Sequence, residues 1–172
     1  MSTSIFTTKK LEKTISKNIT KELPINNNYL GDWNVNVFNV HRKKCWLLMN
    51  FKTKYVLVIN GIKQSDIKNI STIFKENFYN QLIYDGIIVD YSLIEKIIGQ
   101  VNLHSTNNNQ SATGSMNDYL RHYKDWVSRC DSYDDVNFKD ITSRLNTMLP
   151  NLILNFDYPK TPMSELINSF IK

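Results

Sequence analysis

Hydrophobic positions fall into two rhythms along the chain. Between Trp33 and Ile59 the rhythm is that of strands: Trp33, Val35 and Val37 alternate with Asn34 and Asn36, and Cys45 to Met49 and Tyr55 to Ile59 are continuous apolar runs. Side chains of a strand point alternately to opposite faces, so the first run predicts a half-buried strand and the other two its neighbours. The polar stretches His41-Arg42-Lys43-Lys44 and Asn50 to Lys54 separate these runs, as turns separate consecutive hairpins. Val101 to His104 is a candidate fourth strand.

Elsewhere the spacing is helical. Leu11, Ile15 and Ile19 recur every four residues among lysines, which predicts a short amphipathic helix within Thr7 to Ile19. Pro24, the run Asn26-Asn27-Asn28 and Gly31 then predict a loop. Ser65 can cap a long helix whose Ile67, Ile70, Phe74, Phe78 and Leu82 form one apolar face, with Gly86 as its stop. Ser92 to Glu95 has capping-box spacing before a short helix that Gly99 ends. Thr106 to Gly114 is polar and rich in Asn, which predicts a surface loop, and Ser115-Met116-Asn117-Asp118 predicts the entry to a helix through Tyr119, Tyr123, Trp126 and Val127. Asn137 is the expected cap of the next helix, with Ile141, Leu145 and Met148 inward, and Thr161-Pro162 opens a last one running to about Ile171. The expected fold is therefore α+β: one domain over residues 1–172, an antiparallel meander of three to four strands with one face packed against several helices.

Composition narrows the setting. The apolar and aromatic content is that of a folded chain, and no apolar run approaches the roughly 18 residues needed to cross a bilayer. No signal-peptide pattern opens the chain, so a cytoplasmic location and no membrane partner are expected. Cys45 and Cys130 are too few and too far apart for a disulfide framework or a zinc set. Charge is uneven: residues 1–60 carry ten Lys or Arg against three acids, and residues 61–172 carry eleven against thirteen. An acidic partner such as nucleic acid would meet the N-terminal part.

Three segments carry a family resemblance: Trp33-x-x-Asn36 leading a strand, Arg42-Lys43-Lys44-Cys45 opening the next, and Gly114-Ser115-Met116-Asn117-Asp118 opening a later helix. In that order, over roughly residues 5–130, the chain resembles a bacterial family known as domain of unknown function 6933. The resemblance implies a bacterial, intracellular protein of similar size and no stated activity. Family members often carry an Arg shortly before the last segment; this chain has Gln110 there, which weakens an anion-binding role for that position.

Candidate chemistry follows from these segments. Lys9, Lys10, Lys13 and Lys17 on the first helix, with Arg42, Lys43 and Lys44 in the hairpin turn, form the expected nucleic-acid contact, since phosphates are bound by such cations. Trp33, Asn36, Arg42, Lys43, Ser115, Asn117 and Asp118 are the candidate ligand-binding set. The expected function is a non-catalytic binding or regulatory module. The alternative is a small enzyme with a pocket between the 41–44 turn and the 106–118 segment, His122 standing one helical turn beyond Asp118 as a candidate acid–base partner. The acidic cluster Asp131, Asp134, Asp135 and Asp140 lacks the alternation of a calcium loop. No cofactor or metal is expected, no catalytic residue is assigned, and a protein partner or homo-oligomer using exposed aromatics such as Tyr84, Tyr91 or Tyr158 stays open.

Overall fold

A computed structural model of the chain describes residues 2–22, 24, 28–155 and 157–171. Five strands form one mixed sheet: β1 (Ser2–Thr7), β2 (Trp33–Val40), β3 (Lys43–Asn50), β4 (Val56–Ile59) and β5 (Gln100–His104), in the order β4-β3-β2-β1-β5. Strands β2, β3 and β4 are the expected antiparallel meander, with Val40 opposite Lys43 and Trp46 opposite Ile59. Strand β1, which the hydrophobic pattern does not announce, lies between β2 and β5 and is parallel to both. The sheet is therefore mixed, not a purely antiparallel meander. An interior strand made of Ser-Thr-Ser-Ile-Phe-Thr is tolerated in part because its two buried threonine hydroxyls find partners: Thr3 Oγ1 donates to the Ile98 carbonyl at 2.7 Å and Thr7 Oγ1 to the His104 carbonyl at 3.0 Å.

Among the described residues six α-helices cover the sheet: α1 (Lys9–Ile15), α2 (Ile70–Tyr84), α3 (Tyr91–Ile98), α4 (Gln110–Val127), α5 (Phe138–Thr147) and α6 (Lys160–Asn168). They lie on both faces, whereas the alternation in β2 predicts cover on one. Trp33, Val35, Trp46 and Leu48 pack with residues of α1, α2, α3 and α6, while Cys45, Leu47, Met49 and Val58 pack with α4 and α5. Strand β3 is accordingly buried on both sides from Cys45 onward, as its continuous apolar run requires.

Several helix ends differ from expectation. Thr8 caps α1, which ends at Ile15 and continues as a 3-10 turn over Ser16–Asn18. The face Ile67, Ile70, Phe74, Phe78 and Leu82 is buried as the period demands, but its first turn is 3-10 (Gln64–Asn69) and Ser65 does not cap it. Asn109 caps α4 by accepting from the Ala112 N–H at 2.9 Å, so the helix begins five residues before Ser115, and the expected loop shrinks to residues 105–109. Asn137 caps α5 as expected. Helix α3 starts after Asp90, without the Ser92 box, and α6 starts at Lys160 and ends at Asn168. The expected break at Pro24 to Asn28 lies partly outside the described residues, Asn26 and Asn27 among them; Asn28 makes a turn by donating to the Gly31 carbonyl.

Three tyrosines are buried in this frame and give a pH expectation. Burial raises the Tyr55 phenol well above its ordinary value, and the Asp85 carboxylate beside it pushes the same way. Burial likewise raises Tyr119 to about 12 and Tyr123 further still. The folded chain therefore holds these protons more tightly than the unfolded chain, whose tyrosines titrate near 10. Their contribution is complete below about pH 10 and is lost as pH rises from there through the folded values. Melting temperature is expected to fall steadily between about pH 10 and pH 12, with tyrosinate absorbance from the three buried rings arriving only on unfolding; full ionisation while the far-ultraviolet dichroism stays native would contradict it.

Candidate nucleic-acid interface

The surface of interest is built where α1 runs out over the turn end of the β2–β3 hairpin. Leu11 and Ile15 are the apolar stripe of α1 and are buried against the sheet. Helical spacing then sends Lys10 and Thr14 to one flank and Lys9 and Lys13 to the other. On the sheet, Val37 and Asn39 of β2 stand opposite Trp46 and Lys44 of β3, on the face that Trp33 and Val35 share. The third wall is the segment after β4. Gly61 opens it with φ +65°, a conformation that favours glycine, and a Cβ there would lie 3.0 Å from the Tyr133 hydroxyl and displace it slightly.

Together these walls enclose a cleft of about 170 Å³. Its inner lining is apolar, from Leu11, Ile15, Val37, Trp46, Ile62 and Ile67; its rim carries Lys10, Lys44 and Lys63, with Thr14, Asn39 and Gln64 between them. No carboxylate of the described residues lines it. Nearby Asp66 is turned onto the Lys63 backbone N–H, which it accepts at 2.8 Å. The cleft continues into a shallower groove along Lys43, Lys44, Gly61 and Lys63. Lys43 itself is held with Nζ 3.8 Å from the centre of the Tyr133 ring, a cation–π contact that fixes its position without neutralising it.

The turn between β2 and β3 is a two-residue hairpin loop with His41 at φ 42° and Arg42 at φ 69°. Both central residues in the left-handed region define a type I′ turn, where Asn-Gly is favoured. Here His and Arg occupy it, and both are exposed, as are Lys43 and Lys44.

The lysines of α1 divide. Lys10 joins Lys44 at the cleft, but Lys9 and Lys13 border a different hollow with Glu12, Ser16, Ser105 and Thr106. Glu12 there accepts from Ser105 Oγ at 3.0 Å and from the Thr106 N–H at 3.2 Å, tying α1 to the segment after β5. Lys17 is exposed in the 3-10 turn.

The candidate ligand set is not brought together. Trp33 is wholly buried, its ring edge-on to Phe74 at 5.1 Å and to Phe78 at 5.4 Å. Asn36 is half-buried and its Oδ1 accepts from the neighbouring Val37 N–H. Ser115, Asn117 and Asp118 lie within α4 and not at its entry, and Asp118 pairs with Arg121 at 2.6 Å instead of with His122. His122 stands beside Trp126, ring centres 6.0 Å apart.

The hairpin turn meets the far end of that helix: His41 shares a hollow with Lys124, Val127, Ser128 and Cys130. Ser115 precedes Val127 by twelve residues, about 18 Å along an α-helix. The enclosed pocket expected between the 41–44 turn and the 106–118 segment is thus not formed. Asn117 instead borders an open polar hollow with Thr8, Lys9, Thr106, Asn108, Gln110, Thr113 and Gly114.

Sequence reasoning misses Lys63, Gln64, Asn39 and Thr14. The first two follow the Asn60-Gly61 turn and carry no local mark, because the cleft arises only when three distant segments meet. A signal for Asn39 exists, since the alternation that buries Trp33 and Trp46 places it on the same face as Lys44.

Among the described residues no helix is long and apolar enough to cross a membrane, and no group of three or more His, Cys, Asp or Glu gathers as a metal site would require. No curated protein matches the chain. A family model does match, over residues 4–161, and with that extent of agreement the chain belongs to the family described as Domain of unknown function (DUF6933).

Proposed function

We propose that the chain is a non-catalytic binding or regulatory module of a bacterial cytoplasm that contacts nucleic acid through the basic surface of α1, the β2–β3 hairpin and the segment after β4. The supporting observation is the convergence of Lys10, Lys44 and Lys63 on one cleft that no carboxylate of the described residues lines. Three cations with only the Asp66 carboxylate close by leave a net positive field that phosphates can neutralise, releasing their condensed counterions. Lys43 extends that field along the adjoining groove, and Arg42 stands exposed in the turn of the same hairpin. Exposure also lets a guanidinium or an ammonium reach a phosphate without the cost of burying an unpaired charge.

The test is retention of a fluorescein-labelled oligonucleotide at low salt, measured by anisotropy for the native protein and for a Lys10→Glu/Lys44→Glu/Lys63→Glu variant. The native protein is expected to bind with a strong salt dependence, and the variant to lose about tenfold or more in affinity with a shallower salt slope, each lost phosphate contact removing roughly 0.9 or less from it. Unchanged melting of the variant confirms that folding is not the cause. Absence of binding by the native protein at low salt would overturn the proposal.

A further inference from the structure

The cleft has a property that phosphate binding alone does not use: an apolar interior. Three lysines on an open surface suffice for a backbone contact, yet Lys10, Lys44 and Lys63 stand around a recess walled by Leu11, Ile15, Val37, Trp46, Ile62 and Ile67. Its volume, about 170 Å³, matches the size of cavity, on the order of 150 Å³, that accepts a benzene ring. Trp46 is only 2 % exposed, so it forms wall and not a stacking platform on the surface. Asn39 and Gln64 at the mouth supply two amides able to donate to and accept from the edge of a heterocycle, and the Thr14 hydroxyl, which donates to the Leu11 carbonyl at 2.8 Å, adds an acceptor. An apolar recess with a few polar groups at its mouth is the general form of a small-ring site. Cations surrounding such a recess select a ring that carries phosphate on either side.

Resting on the nucleic-acid reading above, we infer that the cleft is a base pocket, and that the partner is single-stranded nucleic acid with one base inserted and its flanking phosphates on the lysine rim. A duplex cannot satisfy both features, because its bases are stacked and paired and present only their edges in the grooves. An unpaired strand can splay a base out at small cost, as sequence-reading of single strands generally requires. An acidic peptide would meet the lysines and leave the recess empty, so the apolar interior favours the nucleotide.

The experiment compares a labelled single strand with the duplex of the same sequence. It uses the native protein, a Thr14→Trp variant and an Asn39→Ala/Gln64→Ala variant. Thr14 is exposed on α1, so a tryptophan there can fill the cleft mouth without entering the core, and the double amide variant removes edge contacts without adding bulk. The native protein is expected to prefer the single strand by about tenfold. Thr14→Trp is expected to abolish that preference while leaving duplex affinity within about twofold, since duplex binding rests on the lysines. The amide variant is expected to lower single-strand affinity several-fold with the salt slope unchanged.

Equal native affinity for single strand and duplex, or single-strand binding untouched by both variants, would overturn the base pocket while leaving the nucleic-acid surface standing. Polyglutamate competing as well as an oligonucleotide of equal charge would also overturn it. No binding of either nucleic acid by the native protein would remove the pocket together with the surface on which it rests.

Discussion

Replacing Asp85 by alanine is expected to lower the unfolding free energy by roughly 3 kcal/mol or more, because it strands several buried donors at once. Asp85 ends α2 and is 4 % exposed. Its carboxylate accepts from Tyr55 Oη at 2.5 Å, from Gln81 Nε2 at 3.0 Å and from Asn146 Nδ2 at 3.0 Å. Asn146 in turn brackets β4: its Oδ1 accepts the Val56 N–H at 2.8 Å and its Nδ2 donates to the Val56 carbonyl at 3.0 Å. Gln81 also donates to the Lys139 carbonyl at 3.2 Å. One carboxylate thus joins α2, α5 and the sheet through a network in which both amide protons of Asn146 and both of Gln81 have acceptors.

Such a network is favourable when complete and costly when partial. For a chain of this length the expected loss corresponds to a fall in melting temperature of roughly 6 to 12 °C. Asp85→Asn, which keeps the shape and one acceptor, is expected to lose less. Asn146→Ala combined with Asp85→Ala is expected to cost clearly less than the two single losses added together, since the residues share partners. Additive losses in thermal or urea unfolding would show that the network is not a unit.

Trp33→Ala is expected to cost about 3 to 5 kcal/mol, the range for emptying a large aromatic site in a core. The ring is fully buried and meets Phe74 and Phe78 edge-on, beneath α2. Its Nε1 has no hydrogen-bond partner among the described residues, so the indole acts there as hydrocarbon. Trp33→Phe is therefore expected to be much milder, losing volume but also a buried, unpartnered N–H. Neither change should alter oligonucleotide affinity in conditions where the variant is folded. Weakened binding by a fully folded Trp33→Phe protein would return Trp33 to the candidate site.

Much of the fold was legible where one physical rule governs a segment. The apolar face of α2 from Ile67 to Leu82 follows helical period, and the β2–β3–β4 meander follows alternation and length. Strand β1 was not, because its hydroxyl-rich sequence is satisfied only by carbonyls of residues near 100. The start of α4 was misplaced for a related reason: Asn109 caps it from inside a polar run that resembles a loop, and Gly114 sits mid-helix with open space beyond it. Asp85, Gln81 and Asn146 are polar residues on helices, and no local pattern distinguishes such residues from solvated ones. Of the site, the basic excess was legible in Lys10 and Lys44. The recess they border was not, since Lys63, Gln64 and Ile62 join it only through tertiary packing.

The bracket that Asn146 places on Val56 has a counterpart at the opposite margin of the sheet. There Ser71 Oγ accepts the Val101 N–H at 2.9 Å, and the Thr20 N–H reaches the Leu103 carbonyl at 2.8 Å. Outer strands ordinarily offer a ladder of idle amides to any passing chain. With part of each flank occupied by the molecule's own groups, copies crowded together find a shorter template on which to zip into fibrils, and unseating Asn146 would lengthen one.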